Sequence, residues 1–232
     1  MTQPMAAVAA GVSLAAVAAS LLLFACSDDR PTRIDDSGNL PDFALPDSPE
    51  NVVENLSTAI RLRNVVEYAK LFDEDDYLFV FDSIDVVTNP NYPESCGYVG
   101  EIGWAEGCLD SPDVEEIRFE FDKGTAELLE PGDPERADES WRKIEMTEVH
   151  LEVETRNPQE PMDPLVYLVQ GDRATLYLAP DPEELIEGHP VWRIMEWHDF
   201  RVGSRPDAVR ERSFGDIKVL FDCCSAVGVD PF

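Results

Sequence analysis

The chain has 232 residues and a formal net charge of −30 at pH 7, from 48 Asp and Glu against 18 Lys and Arg. So acidic a surface repels nucleic acid and anionic headgroups, which excludes nucleic-acid binding. Hydrophobic residues make up 44% of the chain, with 11 Phe, 6 Tyr and 4 Trp, which excludes a disordered chain and suits one folded domain.

Residues 5–25, MAAVAAGVSLAAVAASLLLFA, carry no charge. The run is long enough to span a bilayer, at about 20 residues. Its apolar peak, Leu21 to Phe24, lies directly before a small residue and Cys26, which is the layout of a signal peptide. The string Leu23-Phe24-Ala25-Cys26 resembles a bacterial lipobox, although Phe24 is bulkier than usual and no Lys or Arg precedes the run. The resemblance implies removal of residues 1–25, a lipid on Cys26, and a place in the cell envelope held through that lipid. Ser27, where an aspartate would mark inner-membrane retention, favours the outer membrane. Stable anchoring takes more than one acyl chain, a condition that a diacylated cysteine meets. Two other readings stand beside this one. A plain signal peptide leaves Cys26 unexplained, and a retained transmembrane helix lacks basic residues on its cytoplasmic side.

Residues 26–47 read as a flexible tether, polar and broken by prolines. The folded domain is expected over 48–232. Ser48 suits a helix N-cap, Pro49 the first helical position and Glu50 the first turn. Val52, Val53, Leu56, Ala59, Ile60 and Arg63 share one stripe of that helix, with Arg63 at its rim. A short helix follows, in which Asn64 and Glu67 have capping-box spacing and Val65, Tyr68, Ala69 and Phe72 share a face. Tyr77 to Phe81 then reads as a strand. Residues 88–113 read as an inserted Gly/Pro/Cys-rich loop.

The segment DVEEIRFEFDKGTAELL is ambiguous between strand and helix. From Trp141 the pattern has period two. WRKIEMTEVHLEVET changes phase between Ile144/Met146 and Val149/Leu151/Val153, which predicts a bulge near Glu148. PLVYLVQGDRATLYLA reads as a hairpin turning at residues 170–173, and HPVWRIMEWHDFR as a further strand. SFGDIKVLFDCC is a short amphipathic helix or a strand-like tail.

Four cysteines remain beyond Cys26: Cys96, Cys108, Cys223 and Cys224. Export to an oxidising compartment favours pairing, and four cysteines allow three connectivities. A Cys96–Cys108 bridge ranks first, closing a glycine-rich loop for roughly 3 kcal/mol of loop entropy. Its drawback is that Cys223 and Cys224 are then free or joined in a strained vicinal bond. Pairing of Cys96 or Cys108 with Cys223 or Cys224 is the alternative. The acidic runs at 27–29 and 73–76 lack the spacing and central glycine of an EF-hand loop, and read as solvated surface. No metal or cofactor is expected.

The order of helix pair, Y-x-F-x-F strand and three long antiparallel strands resembles the NTF2-like superfamily. Tyr68, Leu71, Phe72 and Asp75 stand where that superfamily passes from its helix pair into its first strand, and VWRIMEWHDFR resembles its final strand. The resemblance implies an α+β fold, N-terminal helices packed on a curved antiparallel sheet around a conical pocket. It implies either a non-catalytic domain with a binding role or an isomerase/dehydratase-like enzyme. Acid–base chemistry in such a cone needs a carboxylate or a His–acid pair inside it. Glu196 and His198 share a strand face and are the candidates, with Tyr77 or Tyr167 beside them. If Met195 and Trp197 face inward instead, both candidates point to solvent, and that phase buries more apolar surface. The non-catalytic reading therefore stands first. His150 reads as an outward strand residue, and His189 lies in a turn before Pro190. Trp104 reads as a plug for the loop's own small core.

Overall fold

Ser48 starts the first helix, α1 (Pro49–Leu62), by accepting the Asn51 N–H on its hydroxyl at 3.3 Å. The coordinates are a computed structural model and describe residues 43–90, 92–160, 162–202 and 212–221. Residues 1–25, Cys26, Cys223 and Cys224 lie outside the described residues. The end of the tether is docked on the domain: Ala44 and Asn55 exchange two hydrogen bonds of 2.8 Å, and Pro46 accepts from Trp192 at 2.7 Å.

Arg63 ends α1 in the left-handed region, at φ 57°. It is more than a rim residue. Its guanidinium donates to the carbonyls of Leu109, Ser111 and Val114 at 2.9, 2.6 and 2.6 Å. Asn64 then caps α2 (Val65–Ala69) by accepting from Glu67 N–H at 3.0 Å.

The elements that follow are β1 (Leu78–Val80), α3 (Ser83–Thr88), β2 (Ser95–Gly97), α4 (Tyr98–Leu109), β3 (Val114–Lys123), β4 (Arg142–Thr155), β5 (Leu165–Ile186), β6 (His189–Phe200) and α5 (Phe214–Leu220). The strands make one sheet in the order β2-β1-β6-β5-β4-β3. Every pair is antiparallel except β1 with β6, where Phe79 lies beside Trp197 in parallel register. The α+β class expected from the sequence is therefore present, with a parallel pair inside the sheet.

The bulge expected near Glu148 is there. Glu148 has φ 50°, and the β4–β5 register shifts between Met146 and Val149. Gly171, at φ 75°, lies on the partner strand at the same place. Residues 170–173 are thus a kink in one 22-residue strand and not a hairpin turn. Both halves of β5 pair with β4, Val169 with Leu151 and Leu176 with Ile144, so they do not pair with each other. The real turn falls at Glu187-Gly188, where both residues have positive φ, 53° and 87°.

Residues 98–109, read above as part of an inserted loop, form a helix. Glu101, Trp104, Ala105, Cys108 and Leu109 are buried on it, at the i, i+3, i+4, i+7, i+8 spacing of one helical face. Trp104 therefore enters the main core and plugs no separate one. Gly107 is required where it stands, because a Cβ there would lie 2.6 Å from the carbonyl oxygen of Phe221.

The helix also removes the expected Cys96–Cys108 bridge. Between Tyr98 and Cys108 the chain climbs about 15 Å of helix at 1.5 Å per residue, whereas a disulfide needs Cα atoms within about 7 Å. Cys108 is a buried free thiol, pushed up to about 12 by burial.

Candidate functional site

Helices α4 and α5 send a carboxylate and an amine into the same place on the inner face of the sheet. Glu101 and Lys218 have no exposed surface. The Lys218 ammonium donates to Glu101 Oε1, as does the Tyr68 hydroxyl. Tyr77 donates to Glu101 Oε2 at 2.8 Å. Burial first, then the Glu101 charge, holds the Tyr77 hydroxyl well above its usual range, so it stays a neutral donor.

Lys218 Nζ also lies 4.2 Å from the ring centre of Phe79, 4.6 Å from Trp197, 4.9 Å from Trp104 and 5.4 Å from Phe214. A desolvated ammonium over aromatic faces gains about 2 kcal/mol or more. That gain and the ion pair offset the cost of burying two charges, which amounts to several kcal/mol per ion. The Trp104 and Trp197 indole N–H groups are buried without an acceptor.

At the foot of α5 lies a second cluster, built differently. Asp199, at the end of β6, accepts the Gly215 N–H at 2.9 Å. Asp85 on α3 accepts from the Arg201 guanidinium at 3.0 Å, Asp82 from the Arg201 N–H at 3.1 Å, and Asp172 on β5 from the Val202 N–H at 3.1 Å. Ser213 and Asp216 cap each other at the start of α5, and Tyr92 donates to Asp216 at 2.9 Å. Asp85 Oδ2, Asp172 Oδ2 and Asp199 Oδ1 are buried with no hydrogen-bond partner among the described residues. Burial is the largest cause that raises all three carboxyls, Asp172 to about 6 and Asp199 well above the usual carboxylate range.

The sequence candidates lie elsewhere. Trp197 faces the core, so Glu196 and His198 point to the outer face of β6, joined by a 2.7 Å contact. Met195 sits in a register shift of the β5–β6 pairing and does not follow Trp197 into the core cluster. The His198 ring packs on Tyr177 at 4.9 Å, and the Tyr177 hydroxyl donates to Asp133 at 3.2 Å. Burial, then Asp133, pushes that phenol up to about 12. Tyr77 lies inside with Glu101, and Tyr167 packs on Phe221 at 6.1 Å, so neither joins the pair. His150 lies 4.0 Å from Glu152, and His189 is exposed at the start of β6.

Beside Glu196 opens a cleft of about 430 Å³, walled by Trp141 and the start of the β5–β6 arm. Both of its arginines are paired, Arg136 with Asp76 at 3.4 Å and Arg193 with Asp181 at 3.7 Å, and the remaining charged lining is acidic. Among the described residues no group of three or more His, Cys, Asp and Glu is placed to hold a metal ion. Among them, too, no helix is long and apolar enough to cross a membrane.

Sequence reasoning passed over Glu101, Lys218, Asp85 and Asp172, and weighed Asp199 only as the neighbour of His198 on β6. The signal for the first two was spacing. Phe214, Ile217, Lys218 and Phe221 form one stripe, and Glu101 opens the stripe that continues through Trp104, Ala105 and Cys108.

A six-stranded mixed sheet with helices packed on it is the α+β layout expected from the NTF2-like resemblance. No protein-family profile and no curated protein matches the chain. Among solved structures it is similar to a candidate aromatic ring hydroxylase from Novosphingobium aromaticivorans, at 6% identity and a TM-score of 0.43, over 67% of this chain and 87% of that one. It is similar to a candidate dehydratase of the NTF2-like family from Streptomyces avermitilis, at 11% identity and a TM-score of 0.41, over 66% and 92%. It is also similar to a protein of unknown function from Mycobacterium tuberculosis, at 14% identity and a TM-score of 0.41, over 76% and 85%. Likeness at this level carries no activity over to this chain, because one fold serves many chemistries.

Proposed function

We propose that this chain is a lipid-anchored cell-envelope protein whose NTF2-like domain binds a partner or ligand without catalysing a reaction. One observation supports the non-catalytic reading: among the described residues, the inner face of the sheet around Glu101 is tightly packed. Lys218 and its four rings take the space that a substrate would need, and both oxygens of Glu101 are bonded. Anchoring rests on the lipobox resemblance at Cys26.

The test has two arms. Full-length protein given cyclic enones and hydroxy-ketones, the substrate types of isomerases and dehydratases, should show no turnover. Turnover that disappears in Glu101→Gln would overturn the reading by placing chemistry inside the cone. For the anchor, Cys26→Ser should leave the membrane fraction or accumulate as unprocessed precursor; unchanged mobility and unchanged detergent partitioning would reject it.

A second reading has its own observation. The Glu196–His198 pair sits 2.7 Å apart beside a cleft of small-molecule size. Turnover abolished by His198→Ala and kept by Glu101→Gln would favour an enzyme that works on the outer face.

A further inference from the structure

We propose that α5 is a latch on the cone that grips in acid and loosens as the pH rises, with Asp85, Asp172 and Asp199 as its catch. The proposal rests on the reading that α5 closes the cone. The catch is built where α3, β5, the end of β6 and the start of α5 meet. Asp199 holds α5 directly through the Gly215 N–H. Asp85 holds Arg201, and Ser213 and Asp216 of the α5 cap are among the groups that act on its carboxyl. Asp172 holds Val202, on the stretch that leads from β6 towards α5.

Each of these carboxyls has one oxygen buried and without a hydrogen-bond partner among the described residues. An ionised carboxylate in that position forgoes its hydration, whereas a protonated one loses much less and can donate. Among the described residues, the charges that face the catch are mostly of one sign. They are Asp82 and Asp85 from α3, Asp172 from β5, Asp199 and Arg201 from β6 and its end, and Asp216 from α5, with Tyr92 and Arg212 alongside. Removing protons therefore adds repulsion to the lost hydration.

The direction follows from proton counting. Asp199 and Asp85 are the carboxyls that face α5, and burial is the largest cause raising both, so the docked catch binds more protons than the released one. Docking is complete below the ordinary carboxyl value of 3.8. It weakens as Asp172 ionises through about 6 and sets its charge beside Asp199, and further up as Asp199 itself ionises. Release withdraws Lys218 from Glu101 and uncovers the aromatic cage.

Hydrogen exchange followed by mass spectrometry tests this on full-length protein in detergent at pH 5 and pH 7.5, with rates corrected for intrinsic exchange. The peptide spanning residues 213–221 should lose about tenfold in protection relative to a β4 peptide between the two pH values. In the Asp172→Asn/Asp199→Asn double variant that loss should vanish. A constant ratio in the wild type, or an undiminished loss in the variant, overturns the latch. Should the variant fail to fold, wild-type amine acylation decides. Lys218 labelling that rises with pH faster than that of exposed Lys70 supports the latch, and a flat ratio overturns it. If 213–221 is unprotected at both pH values, the closed cone itself fails; if it is equally protected at both, only the latch does.

Discussion

Glu101 and Asp199 are equally buried and both touch α5, yet the protein meets them in opposite ways. Glu101 receives an ammonium and two phenols, and no oxygen is left over. Asp199 receives one backbone N–H, keeps one oxygen orphaned, and has further carboxylates for neighbours. Burial alone therefore does not decide what a carboxylate does. A carboxylate given a cation and donors becomes a fixed strut; one given like charges becomes a group whose grip depends on protons.

Removing one side of the strut should have the largest effect. Lys218→Ala leaves Glu101 buried and unpaired, and should cost about 3–5 kcal/mol of unfolding free energy in urea titrations at pH 5. A cost below about 1 kcal/mol would erase the contrast. Arg63→Ala comes next. Its guanidinium holds three carbonyls at the α4–β3 junction, the scaffold that presents Glu101. A loss of about 2–3 kcal/mol is expected from unmaking charged hydrogen bonds to groups that stay partly buried.

The catch should show itself through pH. Because Asp172 is raised from 3.8 to about 6 in the folded chain, its share of stability is full below 3.8 and is lost as the pH rises through about 6. Asp172→Asn should flatten that part of the stability profile, measured by denaturant midpoints from pH 4 to pH 7. An unchanged slope would show that Asp172 stays hydrated. The smallest effect sharpens the comparison from outside the core. Lys70 and Glu67 form an exposed pair at 2.7 Å, and Glu67→Gln should move stability by only about 0.2–0.5 kcal/mol.

Much of the frame was legible from the chain. The Ser48 cap, the Val52–Ile60 stripe, the Asn64 cap and the phase change at Glu148 each follow from a local rule, and each is present. Local composition misled where it was read without periodicity. Three glycines, at 100, 103 and 107, hid the Glu101–Leu109 stripe of α4, and the bracketing cysteines suggested a covalent loop that the helix makes impossible. Gly171 suggested a turn because turns and bulges both need positive φ, and only pairing with β4 distinguishes them. On β6 the phase argument was right about Trp197, and it turned Glu196 and His198 outward.

The site itself was hidden for a different reason. Glu101 and Lys218 are 117 positions apart, and the aspartates of the catch come from α3, β5 and β6. An acid or a lysine in an amphipathic stripe reads as an edge residue until its partner is known. Nothing local says that Lys218 will find Glu101 and four rings waiting for it.

The central claim is that Lys218 and Glu101 are bonded to each other inside a filled cone. A double-mutant cycle measures this most directly: Glu101→Gln, Lys218→Met, both together and neither, compared by urea unfolding at pH 5. The coupling between the two positions should reach roughly 2 kcal/mol or more, with the double variant more stable than the sum of the single losses implies. Single losses that add to within about 0.5 kcal/mol would mean that the two groups do not meet, and the closed cone would fall with them.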